Sequence, residues 1–294
     1  MSDTPKMDNV GSAIVWILLG VTGGLGLDLC AKELLETYSL QEFVLVRSSI
    51  GAAIFILLAR PLFGGLKSLR TKRWRWHLVR TMFAIGAMYG FFYGLTKMPL
   101  VNALALGFTA PLMITALSAV FLGDTIGWHR WGAVVVGFIG TLIILRPGAG
   151  EMSFASIAVL IAAFCYACQH ITSRHLASES LLSLSLYVVV GPMLLSATLL
   201  DADTWITPDT KGWILMFGAG ACSVIAWIGF VKGYQRSSPA ILAPFEYAAL
   251  VGGALAGYLI WDEVPDVWVL FGASIIVASG LYVVYREFGQ TAAE

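Results

Sequence analysis

Apolar residues arrive in runs of about 20, each closed by a short polar or charged cluster. The runs predict helices over 11–31, 40–60, 74–95, 100–121, 126–145, 153–177, 181–200, 211–234, 239–261 and 266–285. Strands of a membrane barrel are about 10 residues long and alternate, whereas these runs are longer and do not alternate. The expected fold is therefore an all-α polytopic membrane protein with ten transmembrane helices. The longest connections, 60–75 and 201–211, leave no room for a soluble domain. Residues 1–10 and 287–294 read as polar tails, and the run from Gly11 as a retained first span, because no small-residue cleavage site follows the N-terminus.

Composition agrees with this class. Of 294 residues, 58% are hydrophobic and only 12% charged, with a mean hydropathy of +0.81; a soluble domain of this size needs more charge to cover its surface. The net charge is zero, so nothing marks a nucleic-acid partner. The expected partners are the lipid bilayer, a small-molecule solute and protons, with monomer and homodimer both open. All four cysteines lie in apolar runs, and the four histidines have no metal-ligand spacing. No metal and no cofactor is expected. There is no phosphate-binding loop of the Walker type and no paired nucleophile and base, which argues against ATP-driven pumping and against an enzyme.

Charge asymmetry gives an orientation. With a cytoplasmic N-terminus, Lys6, Arg60, Lys67, Arg70, Lys72, Arg73, Arg75, Arg80, Arg130, Arg174, Lys232, Arg236 and Arg286 fall on or near the inner side. Only Lys32, Lys97, Arg146 and Lys211 fall outside, and Arg47 lies within a span. The positive-inside rule then places both termini in the cytoplasm of a plasma membrane or bacterial inner membrane.

The chain also repeats itself. Gly90, Gly94 and Pro99 correspond in order to Gly229, Gly233 and Pro239; Asp124 corresponds to Glu263; Trp128, Gly132 and Gly140 correspond to Trp268, Gly272 and Gly280. The expected halves are 11–147 and 148–286, each with five spans. Five is odd, so the second half enters from the opposite side, an inverted repeat suited to alternating access.

The ends of the two halves, PLVNALALGFTAPLMITALSAVFLGD and SPAILAPFEYAALVGGALAGYLIWDEVPDVW, carry a family pattern, as do GLDLCAKELLE, FVLVRSSIG and FCYACQHITSRHLA. Over nearly all of 11–285 the chain resembles the EamA-type members of the drug/metabolite transporter superfamily. The resemblance implies two five-helix repeats around a central cavity lined by the first four helices of each. It does not single out a substrate. By that implication Asp28, Arg47, Tyr89, Tyr93, Asn102, Phe108, Gln169, His170, Trp227 and Glu246 stand on cavity helices. Tyr247, beside Glu246, joins them as a substrate-facing candidate.

The residues themselves leave several roles open. An ionisable group at a helix centre costs about 2.5 to 3.5 kcal/mol on insertion, and usually faces a water cavity or a partner. Glu246 is the candidate for proton coupling or for binding a cation, with Pro244 two residues before it as a kink. Its rough first-half counterpart is Gly107, so the expected centre is chemically asymmetric. Arg47 reads either as a carboxylate fork or as the partner of Asp28; Asp28 and Lys32, four apart, can also pair along one helix face. His170 suits a proton relay or a neutral interhelical contact, and Asn102 a helix cap. Tyr89 and Tyr93 share a face of the third helix; the Gly86, Gly90, Gly94 stripe on another face suits close packing and leaves the tyrosines for the cavity. Pro111 and the glycines Gly20, Gly23, Gly24 and Gly26 are hinge candidates. The expected function is secondary active transport of a small polar or amphipathic metabolite, such as an amino-acid-like compound, an amine or a zwitterion. The alternative is a carrier of carboxylates or amino-acid derivatives with Arg47 as the main ligand, and the remote alternative a membrane-embedded enzyme.

Overall fold

The computed structural model describes residues 10–122, 127–146, 153–176, 178–234, 236, 242 and 245–291. The described residues form helices and connecting turns, with no strand among them. The helices are α1 (Val10–Leu34), α2 (Leu40–Leu57), a short α3 (Ala59–Phe63), α4 (Trp74–Leu95), α5 (Leu100–Gly107), α6 (Ala110–Leu122), α7 (Trp128–Leu145), α8 (Phe154–His175), α9 (Leu181–Leu199), α10 (Thr210–Tyr234), α11 (Ala248–Trp261) and α12 (Val267–Thr291). Eight stretches are long and apolar enough to cross a membrane, α5 and α6 together counting as one, and two shorter apolar helices follow. Large apolar side chains such as Leu57, Val120, Val251 and Leu259 cover the outside, as a bilayer requires. The protein is a multi-pass membrane protein.

Local chemistry explains the boundaries. Ser39 and Ser180 cap α2 and α9, their hydroxyls accepting the N–H groups of Glu42 (3.2 Å) and Ser183 (3.1 Å). The predicted single helix 100–121 is broken at Phe108 and Thr109. Pro111 has no N–H to give Gly107, and its ring crowds the carbonyl there. The Thr109 hydroxyl donates to Leu106 O at 2.7 Å and stabilises the break. Asn102 caps nothing, because the helix starts two residues earlier, after Pro99. The α11 helix ends in a Schellman turn: Asp262 takes a left-handed φ of 54°, and the Glu263 N–H reaches back to Gly257 O at 3.0 Å. Asp124, Pro239 and Pro244 lie outside the described residues.

Small residues set the helix pairing. Helix α1 packs on α10, and α8 packs on α4. A Cβ on Gly23 would fall 2.7 Å from Ala226 N, and one on Gly90 2.6 Å from Ala158 O. In the same way α7 meets α12, where a Cβ on Gly140 would fall 2.8 Å from Gly272 O. Gly20 and Gly23 are therefore contact surfaces of α1; among the four hinge candidates, Gly24 alone has open space beside it. A buried cluster including Leu34, Phe43, Phe92, Leu100, Leu106 and Met216 fills the end of the bundle where α1 and α4 finish and α5 begins.

Candidate functional site

The filled end closes a cavity of about 490 Å³ that lies deeper in the bundle, between α1, α2, α4, α5, α6, α8, α9 and α10, with Glu246 also on its wall. That volume is within the range of about 300–1,000 Å³ typical of small-molecule sites. The wall is mostly apolar and aromatic, with few polar groups.

Glu246 lines the cavity, and its Oε1 is buried with no hydrogen-bond partner. Phe108 lines it beside the helix break and is backed by the Tyr247 ring, 5.0 Å away. Tyr247 itself is not on the wall; its hydroxyl packs against the Gly280 position of α12. Trp227 is on the wall in edge contact with Phe55, 5.5 Å between ring centres, and Phe55 lines the cavity too. Gln169 and Pro111 also face it.

Arg47 and Asp28 share the same cavity. Arg47 is 5% exposed. Its Nη2 donates to Met88 Sδ at 3.4 Å, its guanidinium stands 5.7 Å from the centre of the Phe92 ring, and its Nε has no hydrogen-bond partner. Asp28 is within electrostatic range of it without an ion-pair contact. The expected Asp28–Lys32 pair is not formed. Lys32 turns away, pairs with Glu263 at 2.6 Å and donates to Met98 O at 3.2 Å. The Schellman turn after α11 brings a second carboxylate to Lys32 from another helix, and this outcompetes a neighbour on its own helix.

Besides Tyr247, four expected residues stand off the wall. The Tyr89 hydroxyl shares a 2.7 Å hydrogen bond with Ser196 on α9, and the Tyr93 ring makes an edge contact with Phe154 on α8, 5.8 Å between centres. Both tyrosines thus pack helix to helix, because α4 is clasped between α8 and α9. The His170 ring lies tilted against the Tyr166 ring, 4.4 Å between centres, and Tyr166 takes the place on the wall. Asn102 is in the first turn of α5 with its Oδ1 buried and unpartnered.

Arg80 is the charged lining residue that sequence reasoning assigned elsewhere. It counts among the basic residues that set topology, yet it is 7% exposed and faces the cavity from α4. The available signal was its depth, six residues after Trp74, which is more than a full turn inside the span. Met88, Phe91 and Phe230 on the wall had no signal beyond being apolar.

The cavity is mostly apolar, its volume suits a small molecule, and the described residues hold no metal-ligand cluster. Residues 11–146 and 152–285 both match the EamA-like transporter family. The S-adenosylmethionine uptake transporter of Rickettsia bellii is 29% identical over 98% of this chain and 97% of its own length. The riboflavin transporter of Vibrio cholerae is 32% identical over 80% of both chains. A solved crystal structure superposes with a TM-score of 0.68 over 97% of this chain and 99% of its own, at 19% identity, a likeness of fold alone. The chain belongs to the EamA-like transporter family of the drug/metabolite transporter superfamily, and it is a small-metabolite transporter and not an enzyme.

Proposed function

We propose that the protein is a secondary transporter for an amphoteric metabolite that carries a carboxylate, a positive centre and a planar ring, with S-adenosylmethionine as its representative. The observation that carries this reading is the wall chemistry: Glu246 and Asp28, Arg47 and Arg80, and the rings of Trp227, Phe108 and Tyr166 all face one cavity. An apolar wall with both charge signs suits a solute with both signs. Aromatic faces attract a cation and stack on a flat ring. The uptake transporters for S-adenosylmethionine among the relatives support the choice. Glu246 meets the positive centre or carries a coupled proton.

Transport proceeds by alternating access between two inverted five-helix halves, 11–147 and 148–286, with ten spans and both termini in the cytoplasm. The two separate family matches support the division. The helix pairing supports the two-fold relation, since α1 on α10 and α8 on α4 exchange roles, while α7 on α12 maps onto itself. Helix pairing of this kind lets one half rock against the other around a fixed site.

A carrier of carboxylates held by Arg47 is the second reading, favoured by the unpartnered Arg47 Nε. Uptake of labelled S-adenosylmethionine into proteoliposomes separates the two. The first reading expects saturable uptake that unlabelled S-adenosylmethionine blocks and simple dicarboxylates do not. Block by dicarboxylates alone would reject it.

A further inference from the structure

Arg80 is held by two neutral acceptors. Its Nε donates to Ser173 Oγ at 2.6 Å and its Nη1 to Leu184 O at 2.6 Å. These bonds fix the plane of the guanidinium and leave its charge uncompensated. A guanidinium has five N–H donors. Two are used, and one N–H on Nη1 and both on Nη2 remain for the oxygens of a carboxylate. Among the described residues no carboxylate is within ion-pair distance of Arg80. Glu179, on the turn before α9, stands 3.7 Å from His77 Nε2 instead.

Arg80 shares its cavity wall with small side chains. Ala84 follows one turn later on the cavity face of α4, and Ala163 lines the wall from α8. Both end in a methyl group, so no bulky side chain projects from these positions of the wall. Gln169, also on the wall, precedes Ser173 by four residues on one face of α8 and adds an amide donor. A charge withdrawn from water without a counter-ion is unstable, and with none among the described residues the cavity is where one can reach it. Arg47 differs, because Asp28 already stands in its electrostatic range.

We propose that Arg80 is the carboxylate-binding residue of the cavity: its fork, oriented by Ser173 and Leu184, takes the carboxylate end of the solute and selects for solutes that carry one. The assignment rests on the amphoteric solute proposed above. It also sets the orientation, with the carboxylate at Arg80 and Gln169 and the positive centre toward Glu246.

The test is calorimetric binding of S-adenosylmethionine and of its decarboxylated analogue to the purified full-length protein, with monodispersity checked for each variant. In the unmodified protein, loss of the carboxylate weakens binding roughly tenfold to a hundredfold. In Arg80→Gln the two ligands bind alike, and in Arg80→Lys, which keeps charge without the fork, discrimination falls. Arg47→Gln keeps the discrimination. Undiminished discrimination in both Arg80 variants, or its loss in Arg47→Gln, overturns the assignment. If neither ligand binds the unmodified protein, the amphoteric solute is wrong, and Arg80 is tested by itself. A cysteine at Ala84, with Cys30, Cys165, Cys168 and Cys222 replaced, is labelled by anionic and cationic methanethiosulfonates. The anionic reagent is expected to react several-fold faster, with that preference lost in Arg80→Gln; an unchanged rate ratio rejects an anion site.

Discussion

Lys32 Nζ lies 2.6 Å from Glu263 Oε1, and Glu263 Oε2 accepts the N–H of Leu100 at 3.0 Å. One carboxylate thus joins the end of α1, the turn after α11 and the first residue of α5. The Lys32 ammonium also stands 5.5 Å from the Trp261 ring centre. These contacts lie at the filled end of the bundle, so opening that end requires breaking them.

Glu263→Gln or Lys32→Met is therefore expected to destabilise the closed end by about 3 kcal/mol, since removing one member leaves the other charge buried. Thermal unfolding checks the loss, and modification of a cysteine placed at Leu104 checks the opening. Exchange of the two residues should restore part of both. Unchanged Tm and labelling would show that the Lys32–Glu263 pair does not hold that end closed.

Tyr89 and Trp227 separate packing from binding. Tyr89→Phe removes the 2.7 Å bond to Ser196 and should lower stability by about 0.5–1.5 kcal/mol with solute affinity unchanged. Trp227→Ala, on the wall, should weaken solute binding at least about tenfold, as loss of an aromatic contact does. Parallel unfolding and binding curves decide it; equal affinity losses would show that Tyr89 also meets solute.

Gly90 and Gly24 give a packing contrast. Gly90→Val drives side-chain atoms into Ala158, whose carbonyl would lie 2.6 Å from the new Cβ; it should cost about 1–3 kcal/mol or abolish folding. Gly24→Ala meets nothing within 4 Å and should be neutral or stabilising by up to about 1 kcal/mol. Detergent-solubilised yield and Tm read both.

Pro111→Ala restores an N–H that can bond to Gly107 O and should join α5 to α6. The expected outcome is higher Tm with slower turnover, because Gly107, Phe108 and Pro111 all line the cavity. Transport rate in proteoliposomes checks it, and an unchanged rate removes the hinge role.

Glu246→Gln keeps shape and removes the charge. Uptake by this variant is expected to lose its response to an imposed pH gradient, and affinity for the positive solute should fall. Uptake that still follows the gradient would move proton coupling to another group.

The sequence by itself determined the multi-pass membrane class and part of the wall. Runs of about 20 apolar residues leave few alternatives to membrane helices, and Glu246, Arg47, Asp28, Gln169, Phe108 and Trp227 could be named because polar or aromatic groups inside such runs stand out. The Gly86, Gly90 and Gly94 stripe likewise announced its close helix contact with α8. What only the tertiary structure decided was which way each side chain points. Helical periodicity defines faces but not what each face meets: Tyr89 and Tyr93 share one, and it meets α8 and α9 and not the cavity. Ion-pair partners were equally hidden. Lys32 and Glu263 are far apart in sequence and come together only because α11 turns back beside α1, whereas the local pair Asp28–Lys32 was visible and is not formed. Arg80 is the same lesson for a site: a basic residue near a helix end reads as a topology anchor, and the packing of α8 and α9 around α4 is what carries it into the cavity.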